Sequence, residues 1–203
     1  MVEQSKWVVK TLEDPNHSNW YIERFRTKAA AGEDLAGEAR FVNALVPPAA
    51  RILDAGCGPG RVGGALFEFG HEVVGVDVDP VLIAAAEEDY PGPRWIVGDL
   101  AELDLAQHGE AENFDVILGA GNVMAFLAPS TRQEVLARLR DHLSRQGRLV
   151  LGFGAGRDYP FDDFFEDVSV AGLVVDLKLA TWDLRPFDDQ SEFLVAVLRR
   201  PNP

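Results

Sequence analysis

Residues 51–60 read Arg-Ile-Leu-Asp-Ala-Gly-Cys-Gly-Pro-Gly, and no other stretch constrains the fold as tightly. Ile52, Leu53 and Ala55 form a short apolar run suited to a buried parallel strand. Asp54 sits inside that run, where a carboxylate needs hydrogen-bond donors close by. Gly56, Gly58 and Gly60 follow on alternate positions. Glycine permits backbone conformations closed to other residues and lets a ligand approach the main chain. From Arg61 to Phe69, Val62, Ala65, Leu66 and Phe69 then share one helical face. Strand, glycine loop and helix start together mark the ligand-binding corner of a doubly wound α/β domain.

A second buried strand, His71 to Val76, ends in Asp77. A carboxylate at that tip can accept hydrogen bonds from both ribose hydroxyls of an adenosine held over the first loop. NAD and S-adenosylmethionine both meet this condition. The glycine spacing separates them, because the dinucleotide fingerprint is G-x-G-x-x-G and here the third glycine arrives one residue early. Asp54 also suits a ligand with an ammonium group better than one with a pyrophosphate.

At this point the chain resembles the class I S-adenosylmethionine-dependent methyltransferases. The resemblance rests on Leu-Asp-Ala-Gly-Cys-Gly-Pro-Gly (53–60), Val-Val-Gly-Val-Asp (73–77) and Val-Gly-Asp-Leu (97–100). It continues through Phe-Asp-Val-Ile-Leu (114–118) and Gly-Arg-Leu-Val (147–150). It implies a Rossmann-like, seven-stranded sheet ordered 3-2-1-4-5-7-6 with the last strand antiparallel, and S-adenosylmethionine as cofactor. Carried over residue by residue, it assigns the cofactor to Asp54, Gly56, Gly58, Asp77, Val78, Asp99, Leu100, Ala120 and Gly121. Asp99 would meet the adenine amino group and Leu100 would add a backbone contact. An N-terminal helix would fold over the cofactor as a lid.

Composition narrows the partners. At 203 residues the chain is long enough for one domain with a full core, divided into a helical cap over 1–46 and a core over 47–203. With 19 Lys+Arg against 33 Asp+Glu, the formal charge of −14 disfavours a nucleic-acid substrate. No stretch approaches membrane-spanning length, and the opening residues lack the apolar core of a signal peptide. One cysteine excludes an internal disulfide and fits a reducing cytoplasm. The oligomeric state is not legible.

Helices are expected over 18–31, around Leu35 to Leu45, and from an Asp79 N-cap with Pro80 in the first turn. Strands are expected near 51–55, 72–77, 94–98, 114–118 and 148–153. Ser130 and Gln133 could form a capping box for the helix carrying Val135, Leu136, Leu139 and Leu143, with Gly147 as its stop. Phe161, Phe164, Phe165 and Val168 mark another helix. The last two strands, near 173–183 and 192–199, are joined too tightly for a helical crossover and form a hairpin.

Methyl transfer from a sulfonium is an in-line displacement. It requires the two reactants at near-attack distance and neither a metal nor a covalent intermediate, so no catalytic residue and no metal site is assigned. Cys57 fits the turn by its small size. Gly60 opens the helix, Gly63 and Gly64 allow close helix–sheet packing, and Asp115 satisfies local backbone donors. Trp20 and Tyr21 of the cap, Asn122 after the fourth strand, and Arg157 and Tyr159 after the fifth are the candidates for the acceptor pocket. Trp182 and Arg185 could also meet an anionic or aromatic acceptor. His17 could serve as a base or be a solvated loop histidine. The reading is a methyltransferase for a small-molecule acceptor. Its rivals are a non-catalytic S-adenosylmethionine or S-adenosylhomocysteine binding module and an NAD-dependent oxidoreductase or epimerase.

Overall fold

A computed structural model describes residues 2–110 and 113–201. Seven strands form one sheet: β1 (Arg51–Ala55), β2 (Glu72–Asp77), β3 (Arg94–Val97), β4 (Phe114–Gly119), β5 (Leu143–Gly154), β6 (Val174–Leu179) and β7 (Phe193–Arg199). Their order is β3-β2-β1-β4-β5-β7-β6, with β7 antiparallel to both β5 and β6. Parallel pairing of β1 with both β2 and β4 buries Leu53 and Ala55 toward one face and Ile52 toward the other. The strand order reverses between β1 and β4, so the carboxyl ends of these two strands open the crevice where such sheets take ligands.

Helices cover both faces. α3 (Gly37–Asn43) and α4 (Arg61–Glu68) pack on Ile52, Val116 and Val150. α5 (Pro80–Asp89) joins β2 to β3, starting at an Asp79 N-cap whose Oδ1 accepts the Val81 N–H at 2.8 Å. On the other face, α7 (Arg132–Asp141) and α8 (Phe161–Val170) cover Ile117, Leu149 and Leu151. A short turn of helix, α6 (Val123–Phe126), follows β4. Before the sheet come α1 (Lys6–Glu13) and α2 (His17–Ala30).

Local expectations differ in four places. α1 is a separate helix absent from the expected elements, eight residues long with Ser5 as its cap and Trp7 as its one buried residue. Ser130 does not cap α7: it donates to the Glu3 carboxylate, while Gln133 turns outward to Asp167. Gly147 does not stop that helix either. α7 ends at Asp141, and β5 begins at Leu143 opposite Phe114, with a register shift that places Gly147 against the Phe114 carbonyl. A Cβ on Gly147 would lie 2.8 Å from that oxygen, which is why the bulge carries glycine. β6 ends at Leu179 rather than running to 183, because Ala180 turns back to donate to the Arg185 carbonyl.

Gly63 and Gly64 allow the close packing expected of them: Cβ atoms there would lie 2.8 Å from Trp95 and 2.3 Å from Tyr90. Gly75 is tighter still, at 2.2 Å from Trp95 Cε3. Gly75→Ala should therefore cost about 1–3 kcal/mol through overpacking, read as a lower urea midpoint with an unchanged slope.

Candidate functional site

Two buried carboxylates sit at the carboxyl ends of β1 and β2. Asp54 is 2% exposed, and its Oδ2 accepts the Gly63 N–H from the first turn of α4 at 2.9 Å. Burial pushes its carboxyl up to about 7, against the pull of the Gly63 bond and the nearby Arg61 guanidinium. Asp77 accepts the Gly58 N–H on Oδ2 at 2.9 Å and the Asp79 N–H on Oδ1 at 3.0 Å. Burial raises it to about 6, with those two backbone bonds opposing. A carboxylate offers about four lone-pair directions, so Asp77 keeps acceptor capacity for a ligand.

The glycine loop is pinned from below, where Gly56 and Cys57 both donate to the Val76 carbonyl, at 2.7 and 3.0 Å. Gly56 and Gly58 take φ of 74° and 55°. A Cβ on Gly56 would strike Val123 at 2.5 Å, whereas one on Gly58 would meet only the Tyr21 ring at 3.7 Å. Gly58 thus presents bare backbone to an open cleft. Cys57 is buried with its thiol pushed well above its usual value by desolvation, which leaves it neutral and unreactive.

Asp54, Gly56, Gly58, Asp77, Val78, Asp99, Leu100, Ala120 and Gly121 all line this one cleft. Asp99 also caps a turn by accepting the Ala101 N–H at 2.9 Å on Oδ1. Leu82, Phe126 and Leu127 add apolar wall. The roof comes from the N-terminal helices: Ser5 and Trp7 at α1, Tyr21 and Phe25 on α2. Trp7 packs edge-on to Tyr21 and Phe126, with ring centroids 5.3 and 5.6 Å apart. Sequence reasoning overlooked Ser5, Trp7, Phe25 and Arg61 here. The available signal was Ser5 as an N-cap just before Trp7.

Of the residues proposed for the acceptor, only Tyr21 lines the cleft. Trp20 is 52% exposed and stacks on His17, because the next position on a helix points about 100° away. His17 itself packs against Trp7 as part of the cap's interior. Asn122 adopts φ 68°, and its Oδ1 accepts the Gly154 N–H at 2.8 Å, tying the tip of β4 to the tip of β5. Tyr159 is core: its ring stacks on Phe153, its hydroxyl donates to Asp167 at 2.7 Å, and Arg132 lies 3.8 Å over its face. Trp182 fills the space above Gly152, and Arg185 pairs with Asp183 at 3.6 Å. Arg157 is exposed beside Gly154 and Asn122, with no ion pair among the described residues. Asp115, expected to serve local donors, instead accepts the Arg51 N–H at 2.9 Å, from the start of the neighbouring strand β1 and 64 residues away in sequence.

A family model described as a methyltransferase domain matches residues 52–147. The crystal structure of a TehB-like SAM-dependent methyltransferase from Corynebacterium glutamicum is 48% identical with a TM-score of 0.87, covering 93% of this chain and 100% of that one. The chain belongs to the class I S-adenosylmethionine-dependent methyltransferases. Ribosomal protein L11 methyltransferase from Symbiobacterium thermophilum is 36% identical over 104 residues, which is 50% of this chain and 32% of that protein. The chain thus spans about a third of the length of that curated relative. The CcbJ methyltransferase of Streptomyces caelestis shares the fold at 20% identity and a TM-score of 0.75, covering 83% of this chain and 91% of that one.

The cofactor of this methyltransferase is S-adenosylmethionine, and the site fits it. Gly58 offers unobstructed backbone beneath the cleft, and Asp77 retains acceptor capacity for ribose hydroxyls. The NAD reading is set aside.

Asp54 and Asp77 hold protons more tightly in the fold than in an unfolded chain, so protonation favours the folded state. That contribution is fully present below about pH 4 and is lost as pH rises through about 6 and 7. The thermal midpoint of wild type relative to Asp54→Asn should therefore fall as pH rises from about 4 to about 7 and level off above that. A constant difference would show that Asp54 is not protonated in the fold. Cys57→Ser should leave turnover within about threefold of wild type, since a neutral buried thiol contributes no nucleophile. An assay of the folded, cofactor-binding variant checks this.

Proposed function

We propose that this methyltransferase acts on a small-molecule acceptor that reaches the cofactor at the tips of β4 and β5. The observation that carries the reading is the roof. Tyr21 lies across the glycine loop, its hydroxyl 3.8 Å from where a Gly121 Cβ would stand, so the reaction point is covered by α2 rather than open to a protein surface. The charge of −14 opposes a polyanionic acceptor. The protein named as acting on L11 matches only half of this chain.

Bound S-adenosylmethionine supplies an activated methyl group on its sulfonium. Asp77 orients the ligand from below, and an ammonium group docking beside Asp54 would draw its raised carboxyl into the charged form. Tyr21, Trp7 and Phe25 exclude water. Holding an acceptor in line at near-attack distance is worth about 7–11 kcal/mol, enough to carry most of the rate without a proton-transfer group. Burial raises the Tyr21 hydroxyl, so it stays protonated and can donate to an acceptor. The lone buried thiol supports residence in a reducing cytoplasm, and among the described residues no helix is long and apolar enough to cross a membrane.

Calorimetry should show S-adenosylmethionine and S-adenosylhomocysteine binding with NAD silent. Asp77→Ala should weaken that binding about tenfold or more, since hydrogen bonds to a charged group contribute about 1.5–3 kcal/mol. With isotopically labelled methyl donor, label should enter the small-molecule fraction of a cell extract. Label confined to the protein or RNA fraction would overturn the acceptor class.

A further inference from the structure

Asp79 bonds to more than its own helix. Its Oδ1 caps α5 through the Val81 N–H, and its backbone N–H donates to Asp77 Oδ1. The second oxygen, Oδ2, faces the other way and receives two donors from the N-terminal cap. These are the Trp7 indole N–H at 2.9 Å from α1 and the Ser18 hydroxyl from α2. All three side chains are buried. A hydrogen-bonded chain therefore runs from the glycine loop to the cap: Gly58 to Asp77, Asp77 to Asp79, and Asp79 to Trp7 and Ser18.

Other contacts between the cap and the core are of different kinds. Ile22 and Trp7 pack on Leu82 and Ala85 of α5, an apolar contact that fixes no direction. Arg26 reaches Glu88 and Asp89 at 2.9 Å, but these pairs are solvent-exposed and such pairs contribute little. The bonds to Asp79 are buried, directional and charge-assisted, which makes them the strong ones. They lie next to the carboxylate that faces the ligand, and Trp7 itself forms part of the roof. Just beyond α2 comes Gly32, with φ 73° and nothing within 4 Å of its Cβ position.

We propose that Asp79 is a positioning residue: it latches α1 and α2 closed over the cofactor and couples that closure to Asp77. The inference does not depend on what the acceptor is. Releasing the latch leaves the glycine loop and Asp77 in place but lets the roof lift, so the cofactor leaves faster.

The test measures dissociation of radiolabelled S-adenosylmethionine from the full chain by isotope chase, in two variants. Asp79→Ser keeps an N-cap hydroxyl for α5 but is too short to reach Trp7. Trp7→Phe combined with Ser18→Ala keeps Asp79 and its N-cap and removes both donors; because it also trims the ring that lines the cleft, its release rate is read against Trp7→Phe alone, which isolates the Ser18 donor. Both should release cofactor about tenfold faster, the equivalent of one lost charge-assisted bond. In both, the amides of residues 6–30 in the cofactor-bound protein should lose protection against hydrogen exchange, while those of β1, β2 and β4 keep it. If the double variant dissociates within about twofold of wild type, Asp79 acts only as the cap of α5 and the latch is overturned, whatever Asp79→Ser does. Loss of protection throughout the sheet would also overturn it, because the effect would then be general destabilisation.

Discussion

Asp77 is held beneath the glycine loop by the Gly58 N–H and beside α5 by the Asp79 N–H. Placing a carboxylate there is costly unless it is bonded, and the surrounding backbone is shaped to supply the bonds. Left-handed Gly56 and Gly58 bring the loop's N–H groups round to the Val76 carbonyl and to Asp77. The Asp54 carboxylate beside it draws on Gly63 in the same way, so α4 begins where a donor is needed. Both carboxyls still sit well above their ordinary values. Two backbone bonds do not fully offset the desolvation of Asp77, and the remaining deficit is what a ligand with hydroxyl and ammonium donors can relieve.

The sheet and the floor of the site were legible because their signals are local. Apolar runs such as Ile52–Leu53 and Val73–Val74 fit only buried strands, and an acidic residue at the end of such a run has few structural explanations. The order of strands and the antiparallel β7 came from the family resemblance, and they agree with the observed pairing. Turn chemistry read in isolation was less reliable. Ser130 and Gly147 carry the residue types of a cap and a stop, yet Glu3 claims one and the Phe114 carbonyl shapes the other, from distant parts of the chain.

The roof was half legible for a geometric reason. Trp20 and Tyr21 are neighbours in sequence with similar apolar area, but about 100° of helical rotation sends one to solvent and the other over Gly58. Composition cannot choose between them without knowing which face of α2 meets the core. Trp7 was hidden by length instead: α1 is only eight residues, about two turns, too short for its amphipathic pattern to stand out from its flanks. On the acceptor side, Tyr159 belongs to an aromatic cluster with Phe153 and Phe164 that forms only once β5 and α8 pack together.

The cap also differs from the core in what keeps it folded. Helices of 8 and 14 residues are marginal on their own in water, so α1 and α2 owe their place to docking on α5. An element held by a small apolar cluster and a few bonds can be displaced at modest cost, whereas β1, β2 and β4 cannot move without breaking the sheet. Segments that open and close over ligands come from this low-stability end of a structure. A ligand shifts such an equilibrium only as far as it binds the closed form better. Here it can do so through two groups at once, because Tyr21 and Trp7 touch the space the cofactor fills while Asp77 touches the carboxylate network that receives Trp7. The walls that exclude water from the transfer are thus held less firmly than the sheet beneath them. They gain stability from the cofactor whose reaction they protect.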